Sequence, residues 1–332
     1  MKRSVRSSKS IAALLESWFA EVKRPMPWRL NPTPYACWLS EIMMQQTTYA
    51  TVLPYYERFL MLFPTVADLA AADESAVLKA WEGLGYYARA RNLLRAARQI
   101  VSGGSACWPQ TCEEWAQVPG VGPYTAAALS SVLNGDHKPV VDGNVARVFS
   151  RLWELTDDFS KLPARVRLAD RLTPEIERAK VPGDFNQAMM ELGALVCTPK
   201  SPACGTCPLA GHCQAHLHDR CGDFPCKKQK KALPVREVSS VIISDAQGRV
   251  LLVKNREGGL LKGLWELPEV KPGVSLSQVF SHFRLELSTV RAERMDAEFC
   301  DPKTVPLTTA TKKALQASGV QIEVCHAARN MV

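Results

Sequence analysis

Four cysteines, Cys197, Cys204, Cys207 and Cys213, fall within the segment CTPKSPACGTCPLAGHC in a C-x6-C-x2-C-x5-C run. The prolines and glycines between them bend the chain back on itself, so the four thiols meet in one place. Such a set is suited to a metal centre, and iron–sulfur clusters and structural zinc both take four thiolates. The uneven 6-2-5 spacing differs from the paired CxxC…CxxC of a zinc ribbon. At 332 residues the chain is long enough for two domains and a substantial core around such a centre.

Charge narrows the partner class. The formal net charge of +8 favours a polyanion. No run of about 18 apolar residues is present, so a membrane span is not expected. The start, MKRSVRSSKS, is basic but is followed by neither an apolar core nor a cleavage site, so no secretory signal is expected. Of the 11 cysteines, the remainder outside the run is odd in number, which argues against a full disulfide framework and for a reducing cytosol.

From Ile11 to about Ala215 the apolar residues recur at three and four: Leu78, Trp81 and Leu84, then Leu93, Leu94 and Ala97. Prolines and glycines punctuate these segments. The composition then changes. KKQKKALP, residues 227–234, reads as a basic linker. Beyond it, residues 238–243 and 249–254 are β-branched runs around Asp245-Ala-Gln-Gly248, a hairpin signal, and residues 280–287 form a third candidate strand. The expectation is a helical domain over 1–226, a linker over 227–236 and a smaller α+β domain over 237–332.

VPGVGPYTAAALSSVL, residues 118–133, sets Gly120-x-Gly122 between two helices. The bare amides of that turn, with the positive end of a helix starting near Pro123, suit a phosphate. Gly-x-Gly alone also fits a plain αα-turn. About twenty residues on comes VDGNVARV, residues 141–148, and then the cysteine run.

These three motifs in this order resemble the helix-hairpin-helix DNA glycosylases, the superfamily of endonuclease III. WLSEIMMQQTTYATV (38–52), WEGLGYYARARNL (81–93), PWR (27–29), GLWELP (263–268) and FSHFRL (280–285) are similar to the adenine DNA glycosylases, the MutY family. The resemblance spans roughly residues 11–315. It implies a mostly α fold of two helical modules, a six-helix one over 27–135 and an iron–sulfur one from 1–26 and 136–226. A shortened Nudix-like domain would complete the chain, since only residues 269–279 separate the GLWELP and FSH motifs. That domain lacks the acidic metal-binding helix of Nudix hydrolases. The resemblance also implies one [4Fe–4S] cluster on Cys197, Cys204, Cys207 and Cys213.

The reaction so implied is hydrolysis of the glycosidic bond of an adenine rotated out of duplex DNA, opposite 8-oxoguanine or guanine. Glu41 is the expected general acid on the base, and Asp142 the ionised carboxylate beside the cationic sugar. Asn144 is expected to orient Asp142 or the attacking water. Tyr124 stands where endonuclease III-like enzymes carry a lysine nucleophile, and a phenol cannot form an imine. This predicts an enzyme that leaves the abasic strand uncut. Met44, Gln46, Thr47 and Tyr86 are expected to enter the duplex. Arg29, Gly120 and Gly122 are expected on the DNA backbone, and Ser281 and His282 on the 8-oxoguanine. The partners expected are double-stranded DNA and replication or repair factors, for a monomer in the bacterial cytoplasm.

Overall fold

A computed structural model of the chain describes residues 10–226, 240–245, 247–255, 262–279, 284–292 and 297–320, with the backbone alone for 270–279 and 284–292. The first helices are α1 (Ile11–Val22), α2 (Pro27–Leu30), α3 (Pro34–Met44), α4 (Tyr49–Leu62), α5 (Val66–Ala71), α6 (Glu74–Ala80) and α7 (Ala88–Ile100). Then come α8 (Cys112–Trp115), α9 (Pro123–Leu133), α10 (Gly143–Trp153), α11 (Leu162–Ile176), α12 (Pro182–Leu195) and α13 (Gln214–Leu217). Strands β1 (Val250–Lys254), β2 (Trp265–Glu266), β3 (Val270–Val279), β4 (Arg284–Ala292) and β5 (Ala297–Cys300) precede a last helix, α14 (Thr309–Ala317). The fold is mostly helical with a small antiparallel β region. It divides into two compact units, Met1–Ile42 with Cys107–Lys231 and Met43–Ala106 with Ala232–Val332. One break thus falls inside the basic stretch 227–236, and the helices fall into both units.

In the first unit, α10 and α12 are apolar along one stripe each. Val145, Val148, Phe149 and Leu152 face Phe185, Ala188, Met189 and Leu192, all buried, with Leu15 and Phe19 of α1 and Leu168, Leu172 and Ile176 of α11 in the same core. Ser10 caps α1 through Ala13 N at 3.2 Å. Thr111 caps α8 through Glu114 N at 3.1 Å. The chain then turns into α9, whose first residue is Pro123, a position where the missing amide goes unused. Gly120 at φ +82° is the left-handed residue of that turn.

In the second unit, α7 packs on α5 and α6. Its Arg89 is 8% exposed. The guanidinium donates to the carbonyls of Met43 (2.8 Å), Gln45 (2.7 Å), Leu84 (3.2 Å) and Gly85 (3.2 Å), and to Thr47 Oγ1 at 3.2 Å. One cation therefore satisfies the carbonyls at the end of α3 and ties that end to the turn before α7. Gln45 and Gln46 lie past the end of the helix that carries Glu41. α3 stops at Met44 and Gln46 takes φ +58°. Arg89 draws the carbonyls there outward, and Thr48 already starts α4 as its N-cap.

The strands form a three-stranded sheet, β2-β1-β5, and a separate β3-β4 hairpin, all antiparallel. The turn expected at Asp245–Gly248 is present: Asp245 N donates to Arg249 O at 3.0 Å, and Gly248 N to Asp245 O at 3.1 Å. Its first limb is a bridge at Ser244 rather than a strand: Ser244 bridges Val250 and Leu251 N donates to Ile243 O at 2.8 Å, while Ser240 bridges Glu269 instead. The third strand begins at Arg284 and runs to Ala292, and β3 occupies the short stretch between the GLWELP and FSH motifs. Trp265, Leu267, Leu307 and Leu315 are buried under α14. Buried Glu82 joins this sheet to the helices of its unit: it pairs with Lys79 at 2.9 Å and Lys312 at 3.5 Å, and accepts from Leu307 N at 3.4 Å. Ser281 and His282 lie outside the described residues.

Replacing Arg89 by methionine keeps the volume and takes the guanidinium from four carbonyls; Gly85 O keeps Trp81 Nε1 and Gln45 O keeps Thr47 Oγ1, whereas the bonds to the Met43 and Leu84 carbonyls are buried. Loss of hydrogen bonds to a charged donor predicts destabilisation by roughly 3 kcal/mol. Urea unfolding followed by circular dichroism measures it, and a change within about 0.5 kcal/mol would contradict the assigned role.

Candidate active site and metal centre

Two carboxyl groups of the first unit come within electrostatic reach of each other, and each is treated differently by its surroundings. Glu41 sits on α3, half-buried between Trp38, Ile42 and Met43, which are fully buried. Loss of hydration pushes its carboxyl from 4.5 up to about 7; Arg29 pulls it down, and Asp142 pushes it further up. Asp142 is the N-cap of α10. Its Oδ1 accepts from Val145 N at 2.7 Å and its Oδ2 from Asn144 Nδ2 at 3.1 Å. Burial raises its carboxyl too, but those hydrogen bonds and the charge of Arg147 oppose the rise and favour the anion.

Tyr124, second residue of α9, is half-buried and feels both carboxylates, which together with burial hold its phenol well above the ordinary value of 10. It therefore stays protonated, and its hydroxyl donates to Met190 Sδ on α12 at 2.9 Å. Asn144 accepts from Arg147 Nη2 at 2.7 Å through its Oδ1, which fixes its amide to donate toward Asp142. The structure thus brings Glu41, Asp142, Tyr124 and Asn144 together. Arg29, placed by sequence on the DNA backbone, is engaged inside the protein: it donates to Gln187 Oε1 at 2.6 Å and to Glu191 Oε2 at 3.2 Å. Arg24 holds the same buried Glu191 through both carboxylate oxygens.

Gly120 and Gly122 of the hairpin are exposed, and a Cβ at Gly122 would meet nothing within 4 Å. In the second unit, Gln46 and Tyr86 are exposed at positive φ, +58° and +49°, each in a turn bound by Arg89, while Met44 and Thr47 are half-buried.

The four cysteines line one small cavity in the first unit, together with Arg151, Val196, Pro202, His216 and Cys221. Arg151 points Nη1 at Cys197 Sγ, 3.3 Å away, and donates to the carbonyls of Thr198 (2.8 Å) and Pro199 (3.0 Å). Burial pushes the Cys207 thiol up to about 11 and raises that of Cys213. Buried thiols of this kind become thiolates once a metal charge replaces the lost hydration. The donor set, the cavity and the cation beside Cys197 fit a thiolate-bound cluster.

Sequence reasoning missed Arg147, Arg151, Glu191 and Met190. Arg147 donates to the carbonyls of Cys197 (2.8 Å) and Gly193 (2.9 Å) as well as to Asn144. The two arginines lie four apart on α10, on the side opposite its apolar stripe. Two cations in the helix that leads from Asp142 were the available signal.

Comparison with known proteins agrees with this geometry. Residues 39–173 match the family described as HhH-GPD superfamily base excision DNA repair protein, and residues 197–213 match the iron–sulfur binding domain of endonuclease III. The adenine DNA glycosylase of Homo sapiens is 36% identical over 322 residues, covering 81% of this chain and 59% of the human protein. That of Buchnera aphidicola subsp. Acyrthosiphon pisum is 33% identical, covering 78% of this chain and 73% of the relative. A thermostable thymine-DNA glycosylase structure superposes with TM-score 0.56 at 25% identity, over 62% of this chain and 95% of that one. The chain spans little more than half the length of the human relative. Fold and metal loop together define a helix-hairpin-helix base excision repair protein with an endonuclease III-type iron–sulfur loop. Within that class, the chain belongs to the adenine DNA glycosylase family. A [4Fe–4S] cluster on the four cysteines is consistent with the family.

A Cβ at Gly193 would lie 2.6 Å from Asn144 Cβ and 3.1 Å from its Cα. Gly193→Ala must therefore push α12 off α10, with an expected loss of about 1–3 kcal/mol. Thermal unfolding checks this, and an unchanged melting temperature would show that the helices can part freely.

Proposed function

We propose that the protein is a monofunctional adenine DNA glycosylase acting, as a monomer in the bacterial cytoplasm, on adenine opposite 8-oxoguanine or guanine in duplex DNA. The observation that carries this reading is the pair Glu41 and Asp142, set beside a tyrosine where a lysine would permit strand cleavage. Glu41, with its carboxyl near 7, is protonated often enough at neutral pH to give H⁺ to a ring nitrogen of the extruded adenine. The neutral base then departs. Asp142, held as an anion by its amide bonds, stabilises the cationic deoxyribose. Water completes the hydrolysis, with Asn144 holding Asp142 in place. Tyr124 offers no amine for a Schiff base.

The exposed glycines of the hairpin and the start of α9 would bind backbone phosphate. Gln46, Thr47, Met44 and Tyr86 would enter the duplex where the adenine leaves. The cluster, held by Cys197, Cys204, Cys207 and Cys213, would order the loop that carries Lys200 against the DNA; hydrolysis needs no electron from it. Reading of the opposite 8-oxoguanine falls to Ser281 and His282.

Two measurements test the proposal. A duplex with adenine opposite 8-oxoguanine should release free adenine, and its strand should break only after alkali. Efficient cutting without alkali would assign a lyase instead. Single-turnover base release should hold steady below about pH 7 and fall by about tenfold per unit above it, because only the protonated acid is active. Glu41→Gln should bind the duplex yet release no base. A rate indifferent to pH between 5 and 9 (roughly two units either side of the group's midpoint) would remove Glu41 from the acid role.

A further inference from the structure

The cavity of the cysteine run holds one more thiol than the run supplies. Cys221 lies beyond the matched loop, which ends at residue 213. Its Sγ nonetheless stands 3.9 Å from Cys204 Sγ, and it lines the same cavity as the four cysteines. Arg151, whose Nη1 faces Cys197 Sγ, also donates from Nε to Cys221 O at 2.9 Å and to Phe224 O at 3.1 Å, so the same guanidinium that borders the loop holds this segment against it. His216 adjoins them: one donor atom each from Cys204, His216 and Cys221 lie within 4.8 Å of one another. Cys226, five residues on, is exposed and is not among the residues lining the cavity.

The sulfur separation says what this thiol can reach. Two thiolates about 2.3 Å from one tetrahedral metal stand roughly 3.8 Å apart. Cys204 and Cys221 meet that spacing, so both can address a single metal position. A disulfide would need the sulfurs to close to about 2.05 Å and an oxidant to accept two electrons.

We propose that Cys221 is a reserve ligand for the iron held by Cys204, so that the cluster keeps four thiolates when Cys204 lets go. The exchange is neutral in electrons. The bond from iron to Cys204 sulfur breaks and one to Cys221 sulfur forms. The proton leaving the Cys221 thiol ends on Cys204, and the His216 imidazole is placed to carry it. The proposal concerns retention of the cluster and not base release, so it stands or falls separately from the excision activity.

The test uses the cluster-loaded full-length chain, purified without oxygen, with iron, sulfide and visible absorbance as readouts and circular dichroism to follow the fold. Cys204→Ala should retain several-fold more iron than the double variant Cys204→Ala/Cys221→Ala. Cys207→Ala, taken as a corner without a reserve, should be as depleted as that double variant. In a second measurement all four cysteines of the run remain. Cys221→Ala should then lose iron to a strong chelator several-fold faster than the unaltered protein, and Cys226→Ala should not. Equal iron in Cys204→Ala and the double variant overturns the proposal, as do equal chelation rates for Cys221→Ala and the unaltered protein. Should Cys204→Ala fail to fold, the chelation rates decide alone.

Discussion

The backbones of α10 and α12 approach so closely at Gly193 that a single methyl group there would collide with Asn144. Most of the first unit's chemistry is arranged around that contact. It leaves the Gly193 carbonyl open to Arg147, which simultaneously reaches Asn144 and the carbonyl of Cys197. Asn144 in turn bonds Asp142. One helix therefore starts at the candidate carboxylate and, along its polar side, supports the metal loop through Arg147 and then Arg151. Ordering of the loop and orientation of Asp142 share the same buried guanidinium bonds. Charge-assisted hydrogen bonds of this kind contribute about 1.5–3 kcal/mol each, enough for disorder at one end to be felt at the other.

The same unit resolves a conflict between two carboxyl groups that lie within electrostatic reach of each other. Both are withdrawn from water, and withdrawal alone would neutralise both. Burial still raises Asp142, but the Val145 amide at the helix N-terminus, Asn144 and the charge of Arg147 oppose that rise. For Glu41 desolvation prevails, with Asp142 adding to it and Arg29 only partly offsetting it, since Arg29 is bound to Glu191 and Gln187. Two carboxyl groups of similar chemistry are thereby given different surroundings, Glu41 opposed by one nearby cation and Asp142 by direct hydrogen bonds as well. Glu191, Gln187 and the carbonyl of Arg24 together fix the position from which the charge of Arg29 acts on Glu41.

Much of this was legible in the sequence, for reasons that can be named. The helices showed because their apolar stripes recur at 3.6, as Val145, Val148, Phe149 and Leu152 do. The metal loop showed because thiols at short spacing have few other uses. The candidate carboxylates showed through the motifs around them. What stayed hidden was the set of groups that aim them. Arg147, Arg151 and Glu191 look like ordinary solvated charges until the helices are packed, because their partners are backbone carbonyls or residues far along the chain; Arg24 and Glu191 are 167 positions apart. The end of α3 stayed hidden for a related reason. Gln45 and Gln46 continue a helical pattern locally, and the constraint that stops it comes from Arg89, more than forty residues later.

That constraint also explains how two exposed side chains are held ready in the second unit. Gln46 and Tyr86 both lie in the left-handed region, which disfavours side chains other than glycine's by roughly 1–2 kcal/mol each. Neither turn has a glycine at that residue, so the strain is retained together with the side chain. Arg89 makes it tolerable by binding the carbonyls on both turns at once, and its guanidinium plane lies near the rings of Trp81 and Tyr86, 5.2 and 5.7 Å from their centroids. The result is a polar amide and an aromatic ring projecting from two turns fixed to one cation. Under the function proposed above, groups positioned in advance would lose little freedom on meeting a duplex and filling the space an extruded base leaves behind.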